Sequence, residues 1–397
     1  MGAVEIKKDI FWVGAVDWNV RDFHGYSTDK GTTYNAYLIK DEKVALFDTV
    51  KHNLKSDLVH NIHQVVEPGK IDYIIVNHVE MDHSGSLPDI IDLVKPEKVF
   101  CSANGKRALL SHFHREDWPY EVVKTGDEIS LGTRTVRFIE TKMLHWPDSM
   151  FSYVNEEKLL ISSDAFGQHL ASSERFDDQL PLSELMVHAA KYYANILLVF
   201  APLVQKLLAS VAEMGLEIDM IAPDHGPIWR TAPDQIIAAY DRWSRQEARN
   251  KAVVVYDTMW HSTEKMAKAV CAGLEKEGVE VRLMCARLCH RSDIIAELLD
   301  AKAVICGSAT LNNNIMPRMA DILTYMKGLR PKGKLGAAFG SYGWSGEAVK
   351  HLGEAMTEIG IDLVHEGVRV KNVPDHDGYK ECVALGSAVG RAVRQAG

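Results

Sequence analysis

Short apolar runs with turn-rich borders recur along the first part of the chain, at residues 10–14, 34–39, 44–48, 71–77, 134–140, 159–162 and 220–222. Their Val, Ile and Tyr content predicts strands, because branched and aromatic side chains fit a pleated, half-buried surface. Between them, residues 88–93 and 197–214 space their apolar positions at helical intervals. The expectation is a layered α/β or α+β unit.

The pattern changes at Lys251, where AVVVYDT is continuously apolar, as a parallel strand buried on both faces requires. Residues 262–276 then put Met266, Ala269, Val270, Gly273 and Leu274 on one helical face. Further strands are predicted at 280–284, 303–306, 335–339 and 363–364, with helices between them. Five strands alternating with helices describe a doubly wound parallel sheet. The join falls in the charged stretch SRQEARN, giving domains of 1–248 and 249–397.

Composition narrows the function classes. The chain has 397 residues, 46% hydrophobic and 25% charged, enough for two well-packed cores. A formal charge of −9 with scattered Lys and Arg carries no nucleic-acid footprint. The N-terminal stretch lacks an apolar signal core, and no later stretch is expected to reach ~18 apolar residues, so a cytoplasmic protein is expected. The six cysteines include no Cys-x-x-Cys pair and read as free thiols.

Candidate chemistry sits at strand ends. Residues 73–77 lead into His78-x-Glu80-x-Asp82-His83, four metal-ligand side chains within six residues. Three later strand ends supply His145, Asp164 and His225, the last in an Asp-His-Gly-Pro sequence. Ligands gathered from separate strand ends are a common way to build a metal pocket on a layered scaffold. Three carboxylates confined together would each cost several kcal/mol of desolvation, so the set calls for cations. His112 and His114, spaced i, i+2, and His52, His60 and His63 read as surface histidines.

In the second domain, Thr258, Met259, Trp260, His261, Ser262 and Thr263 link the first strand to a helix, and hydroxyls with free N–H groups at a helix start suit a phosphate monoester. Ser308, Ala309, Thr310, Leu311, Asn312 and Asn313 follow the third strand. Ser341, Tyr342, Gly343, Trp344, Ser345 and Gly346 follow the fourth. These loops would meet at the sheet's switch point, and the absence of Gly-x-Gly-x-x-Gly favours FMN over a dinucleotide.

The HxExDH motif with a later His, a later Asp and HGP resembles the metallo-β-lactamase superfamily. Glu80, where the hydrolases of that superfamily typically carry His, resembles the flavodiiron proteins, which also end in a flavodoxin-like domain. The resemblance implies a metallo-β-lactamase-like αββα sandwich followed by a flavodoxin-like doubly wound sheet. It also implies two irons with an oxo or hydroxo bridge, one held by His78, Glu80 and His145, the other by Asp82, His83 and His225, with Asp164 shared. His24 and Tyr193 become candidates to act beside the irons.

Hard carboxylate oxygens with imidazoles suit iron, although ligand type alone leaves zinc and manganese open. FMNH2 and two ferrous ions hold two electrons each, enough to take dioxygen to water, and two suffice to couple nitric oxide to nitrous oxide. The resemblance therefore implies an oxygen or nitric oxide reductase. Rubredoxin is implied as a separate electron donor, and a head-to-tail homodimer or dimer of dimers as the assembly. The rivals are a zinc-dependent hydrolase with a regulatory flavodoxin-like domain and a non-catalytic redox carrier or sensor.

Overall fold

The computed structural model describes residues 2–396. They form two compact units. The first runs up to Phe23 and takes in Thr28–Tyr192 and Pro202–Asp241; the second takes in His24–Ser27, Tyr193–Ala201 and the chain from Arg242 onward.

The first unit is built on two sheets. Seven strands pair in the order Val4–Lys7, Ile10–Trp12, Tyr37–Ile39, Ala45–Phe47, Tyr73–Val76, Lys98–Ser102 and Tyr120–Val123. Five others pair in the order Glu128–Ser130, Thr135–Glu140, Met150–Val154, Leu159–Ile161 and Met220–Ala222. Alternation along each strand decides which side chains go where. Phe47 and Ile75 join Phe138, Met150 and Ile161 in one core, whereas Leu46, Ile74 and Val76 join Leu58, Ile62 and Leu109 in another. Tyr73–Val76 lies parallel to both its neighbours, so its carboxyl end and theirs open on the same edge.

Two expectations are corrected here. Residues 34–39 are not one strand: Thr32–Tyr34 and Tyr37–Ile39 join different sheets. Asn35 separates them, accepting from Trp12 Nε1 at 2.7 Å and donating to the Pro223 and Gly226 carbonyls at 2.6 and 2.9 Å. The helix expected over 197–214 begins later, at Ala201–Glu213, after a π turn at Tyr193–Leu197 and a 3-10 turn at Leu198–Phe200. The stretch Leu182–Glu213 is long and apolar enough to cross a membrane by length and composition. Its π turn and its buried Lys191 and Asn195 set it apart from an uninterrupted apolar span.

The second unit has the strand order Glu280–Cys285, Arg249–Asp257, Ala301–Ser308, Leu335–Tyr342, Asp362–Leu363, and Val368–Lys371 extends the pairing along Leu335–Tyr342. All these pairings are parallel. The strand predicted at 363–364 is Asp362–Leu363, whereas Val368–Lys371 was not foreseen. Helices Ser262–Lys276 and His376–Gln395 cover one face, burying Met266, Val270, Leu274, Leu385 and Val389 against Val254 and Ile305. The two short segments from earlier in the chain are tied in by polar contacts: Ser27 N–H donates to Ser292 Oγ at 3.1 Å, and Asn195 Nδ2 donates to the Ser292 carbonyl at 3.0 Å.

Lys334, just before the strand Leu335–Tyr342, is buried, and its Nζ donates to the Leu299 and Ala301 carbonyls at 3.2 and 2.6 Å. Burial pushes its pKa down from 10.5 to about 8. Below pH 8 the ammonium is charged in both folded and unfolded chains and burdens the fold. Between 8 and 10.5 the unfolded chain holds the extra proton, so stability rises with pH. The stability of wild type relative to Lys334→Met is expected to rise by about 3 kcal/mol across that window. Chemical unfolding midpoints measured from pH 7 to 10.5 check this, and a pH-independent difference contradicts it.

Candidate metal centre and flavin cleft

The strand Tyr73–Val76 ends in Asn77, which is clamped from two sides. Asp48 accepts from its N–H and its Nδ2, both at 2.7 Å, while Ser152 Oγ donates to its Oδ1 at 2.7 Å. The clamp fixes where the chain leaves the sheet. His78 and Glu80 follow directly, and Asp82 and His83 lie on the one-turn helix Met81–Ser84. The His83 carbonyl is held by Thr49, whose N–H and Oγ donate to it at 3.0 and 2.6 Å.

Ligand atoms gather in two main clusters, and His83 and Asp164 also group with Asp224. His78, Glu80, His145 and Asp164 form one, and Asp82, His83 and His225 the other; within each, the ligand atoms lie within 4.8 Å of one another. Asp164 faces both. Its Oδ2 is 2.9 Å from His145 Nε2 and 3.5 Å from His78 Nε2, while its Oδ1 is 3.1 Å from His83 Nε2 and 3.4 Å from His225 Nε2. Glu80 Oε2 lies 3.1 Å from His145 Nε2, and Asp82 Oδ2 lies 3.2 Å from both His83 Nε2 and His225 Nε2.

The imidazoles are aimed by groups behind them. His78 Nδ1 is 3.0 Å from Asp148 Oδ2, which also accepts from the Val79 N–H at 2.7 Å. His225 Nδ1 is 2.7 Å from the Thr33 carbonyl. Each contact holds the proton on Nδ1 and turns Nε2 inward, as a metal-bound histidine requires. Gly226 has φ +77°, and a Cβ there would come within 2.5 Å of the Gln168 carbonyl oxygen, so the turn presenting His225 needs glycine.

Electrostatics show what the cluster demands. Burial opposes charge on His78, His83, His145, Glu80, Asp82 and Asp164, yet their mutual attraction wins. The carboxylates around His78 and His83 hold both imidazoles well above their ordinary pKa, and His145, beside Asp164 and Glu80, is raised to about 9. The imidazoles hold Asp82 and Asp164 well below the usual carboxylate range and Glu80 at about 2. Protons thus stand where cations would. Among the described residues Asp82 Oδ1 is buried without a hydrogen-bond partner, and His83 Nε2 and Asp164 Oδ1, though 3.1 Å apart, make no aligned hydrogen bond; bound metal would satisfy all three. Three carboxylates with four imidazoles fit a pair of iron ions.

Asp148→Asn is expected to lower metal affinity by about 10–100-fold, because the amide can present Nδ2 rather than an acceptor to His78. Iron per flavin after dialysis against a chelator measures it, and unchanged retention contradicts it.

In the second unit, loops after three strands enclose a cleft of about 660 Å³, within the range of cofactor sites. Met259, Trp260 and Ser262 line it from the first loop, Ala309 to Asn313 from the second, and Ser341 to Ser345 from the third. The helix Ser262–Lys276 has no side-chain cap at its start, leaving first-turn N–H groups open to an anion. Thr258, His261, Thr263, Ser308 and Gly346 do not line the cleft. Thr263 Oγ1 instead meets Ser341 Oγ at 2.9 Å, and Ser308 Oγ accepts from the Met316 N–H at 2.9 Å, bracing the loops. Asn372 and Val373 also line the cleft, although nothing in their sequence marks them. They follow the unforeseen strand Val368–Lys371.

His24 and Tyr193 lie in the second unit and outside both ligand clusters. Tyr193 packs on Trp243, with ring centroids 5.4 Å apart.

Residues 32–226 match the family model of ODP family beta lactamases, and residues 254–386 that of flavodoxins. The chain is 49% identical over 397 residues to the rubredoxin-oxygen oxidoreductase of Megalodesulfovibrio gigas, spanning 99% of each chain. It is 49% identical over 389 residues to the nitric oxide reductase of Moorella thermoacetica, spanning 97% of this chain and 98% of that one. The solved flavodiiron protein of Giardia intestinalis matches with a TM-score of 0.97 at 35% identity, over 100% of this chain and 98% of that chain. This chain belongs to the flavodiiron proteins.

As a flavodiiron protein it is an oxidoreductase with a metallo-β-lactamase-like domain, a flavodoxin domain, FMN and a non-haem diiron site. The zinc-hydrolase and electron-carrier rivals fall with that assignment.

Proposed function

We propose that this flavodiiron protein reduces dioxygen to water, nitric oxide to nitrous oxide, or both, with electrons passed through FMN from a rubredoxin. The observation that carries the reading is Asp164, whose two carboxylate oxygens each face a separate cluster of imidazoles. Relatives named for each gas, at equal identity, support both substrates. Bound iron supplies a reducible site for the gas, and FMN stores the electrons that recharge it.

In this reading, His78, Glu80 and His145 hold one iron, Asp82, His83 and His225 the other, and Asp164 is shared. Asp148 and the Thr33 carbonyl keep His78 and His225 oriented. The loops that bring Met259, Trp260 and Ser262, Ala309 to Asn313, and Ser341 to Ser345 to the cleft hold the flavin. Trp260 and Trp344, 86% and 88% exposed at that cleft, support a homodimer in which a second copy covers the flavin. A cytoplasmic location is part of this reading.

The test is steady-state gas consumption. Protein loaded with FMN and iron, supplied with reduced rubredoxin, is expected to consume dioxygen or nitric oxide. Iron-stripped protein retaining FMN is expected to lose nearly all of that turnover. Equal rates with and without iron would refute the reading.

A further inference from the structure

At the opposite edge of the flavodoxin sheet from the flavin loops, a second cleft of about 690 Å³ opens where the strands begin. Its volume matches that of the flavin cleft. Its lining differs in kind. Arg245, Arg249, Lys302, Lys332 and Arg394 surround it, with Glu247 as the one acidic side chain in the lining. On a chain of formal charge −9, this is a local reversal of sign. A concave surface lined by one sign of charge focuses the potential and concentrates ions of the other sign.

The cations are not spent on neighbours to the same degree. Arg249 is neutralised by Asp300 at 2.7 Å and Glu280 at 3.3 Å. Lys302 and Lys332 have no ion-pair partner among the described residues, and Arg394 reaches only the Glu277 carbonyl, at 3.5 Å. Lys302, Lys332 and Arg394 are therefore left without a carboxylate partner among the described residues. The wall is also held in place. Gln246 Oε1 accepts from the Lys332 N–H at 2.6 Å, and the Arg249 N–H donates to the Asp300 carbonyl at 2.7 Å. A braced cationic cleft loses less freedom on binding an anion than free surface lysines do.

We propose that this cleft binds a small polyanion of nucleotide size carrying two or more phosphates. Phosphate chemistry is favoured over a carboxylate because Lys302, Lys332 and Arg394, spread around one cavity, match a chain of charges rather than a single one. The nine-residue strand Arg249–Asp257 separates this edge from the flavin loops by roughly 25–30 Å. That span is too long for hydride transfer to the flavin, so the ligand is an effector and not a reductant.

The experiment titrates ATP and inorganic pyrophosphate into protein loaded with FMN and iron, by calorimetry at near-physiological salt. Saturable binding of one equivalent is expected, with AMP weaker. The double variant Lys302→Glu/Lys332→Glu is expected to bind at least about tenfold more weakly, since each reversal converts attraction to repulsion. Its FMN content and absorbance should stay unchanged, showing that the domain folds. Four results would overturn the proposal: absent saturation, binding that displaces FMN, affinity untouched by the reversals, and equal competition by sulfate at matched ionic strength. Binding of an oligonucleotide without binding of ATP would also overturn it, in favour of an extended nucleic-acid surface.

Discussion

Asp164→Ala is expected to empty the metal centre of both irons while leaving FMN bound. Among the described residues Asp164 is the one side chain whose oxygens approach both clusters, at 2.9 Å from His145 Nε2 and 3.1 Å from His83 Nε2. Removing it takes away an anion that both halves share. It also leaves four imidazoles facing two carboxylates, Glu80 and Asp82, so cation binding loses electrostatic support on each side. Losing a group that merely orients a ligand costs about 10–100-fold in metal affinity, and losing a shared ligand should cost at least the upper end of that range. Iron per FMN, measured after gel filtration, should fall from about two to near zero, and gas turnover should fall with it. Retention of one iron at full affinity would show that Asp164 serves a single cluster.

The second large effect is expected at Glu80. Its Oε2 lies 3.1 Å from His145 Nε2 and 3.3 Å from His78 Nε2. Glu80→His replaces a hard anionic oxygen with a neutral nitrogen and raises the net charge of the site by one. Iron retention should drop by about 10–100-fold and the preference should move toward zinc, for which imidazole is a good donor. The flavin cleft is lined by other loops, so FMN content should not change. Competitive loading with equal iron and zinc, read by elemental analysis, distinguishes the outcomes. A variant that keeps iron over zinc as wild type does would remove the basis for reading Glu80 as the residue that sets the metal.

How much of this was legible in the sequence follows from contact range. His78, Glu80, Asp82 and His83 fall within six residues at the end of one strand, so local pattern alone brought them together. His145, Asp164 and His225 were readable because each ends its own apolar run. Asp148 was not, although it follows His145 closely. Its role depends on meeting His78, 70 residues away, and nothing in a Trp-Pro-Asp sequence announces that. The Thr33 carbonyl is a backbone group and leaves no residue signature.

Strand reading failed where alternation was weak. Met150–Val154 is buried throughout, and Tyr120–Val123 buries only its last residue, so neither shows a period of two. Asn35 broke a predicted strand by bonding backbone carbonyls almost two hundred residues ahead. His24 and Tyr193 became candidates only through the family resemblance; their segments belong to the flavodoxin-bearing unit, where Asn195 meets Ser292. Local chemistry was legible, and partnerships across the chain were not.

The most direct test of the central claim is a single-turnover reaction without a donor. Protein carrying FMN and two irons is fully reduced under anaerobic conditions, freed of excess reductant, and mixed with dioxygen or with nitric oxide in a stopped-flow instrument. The account predicts that flavin and iron reoxidise together, consuming up to one dioxygen per chain or yielding nitrous oxide from paired nitric oxide, and that Asp164→Ala abolishes the fast phase. Slow reoxidation of the flavin alone, at the same rate in wild type and Asp164→Ala, would contradict it.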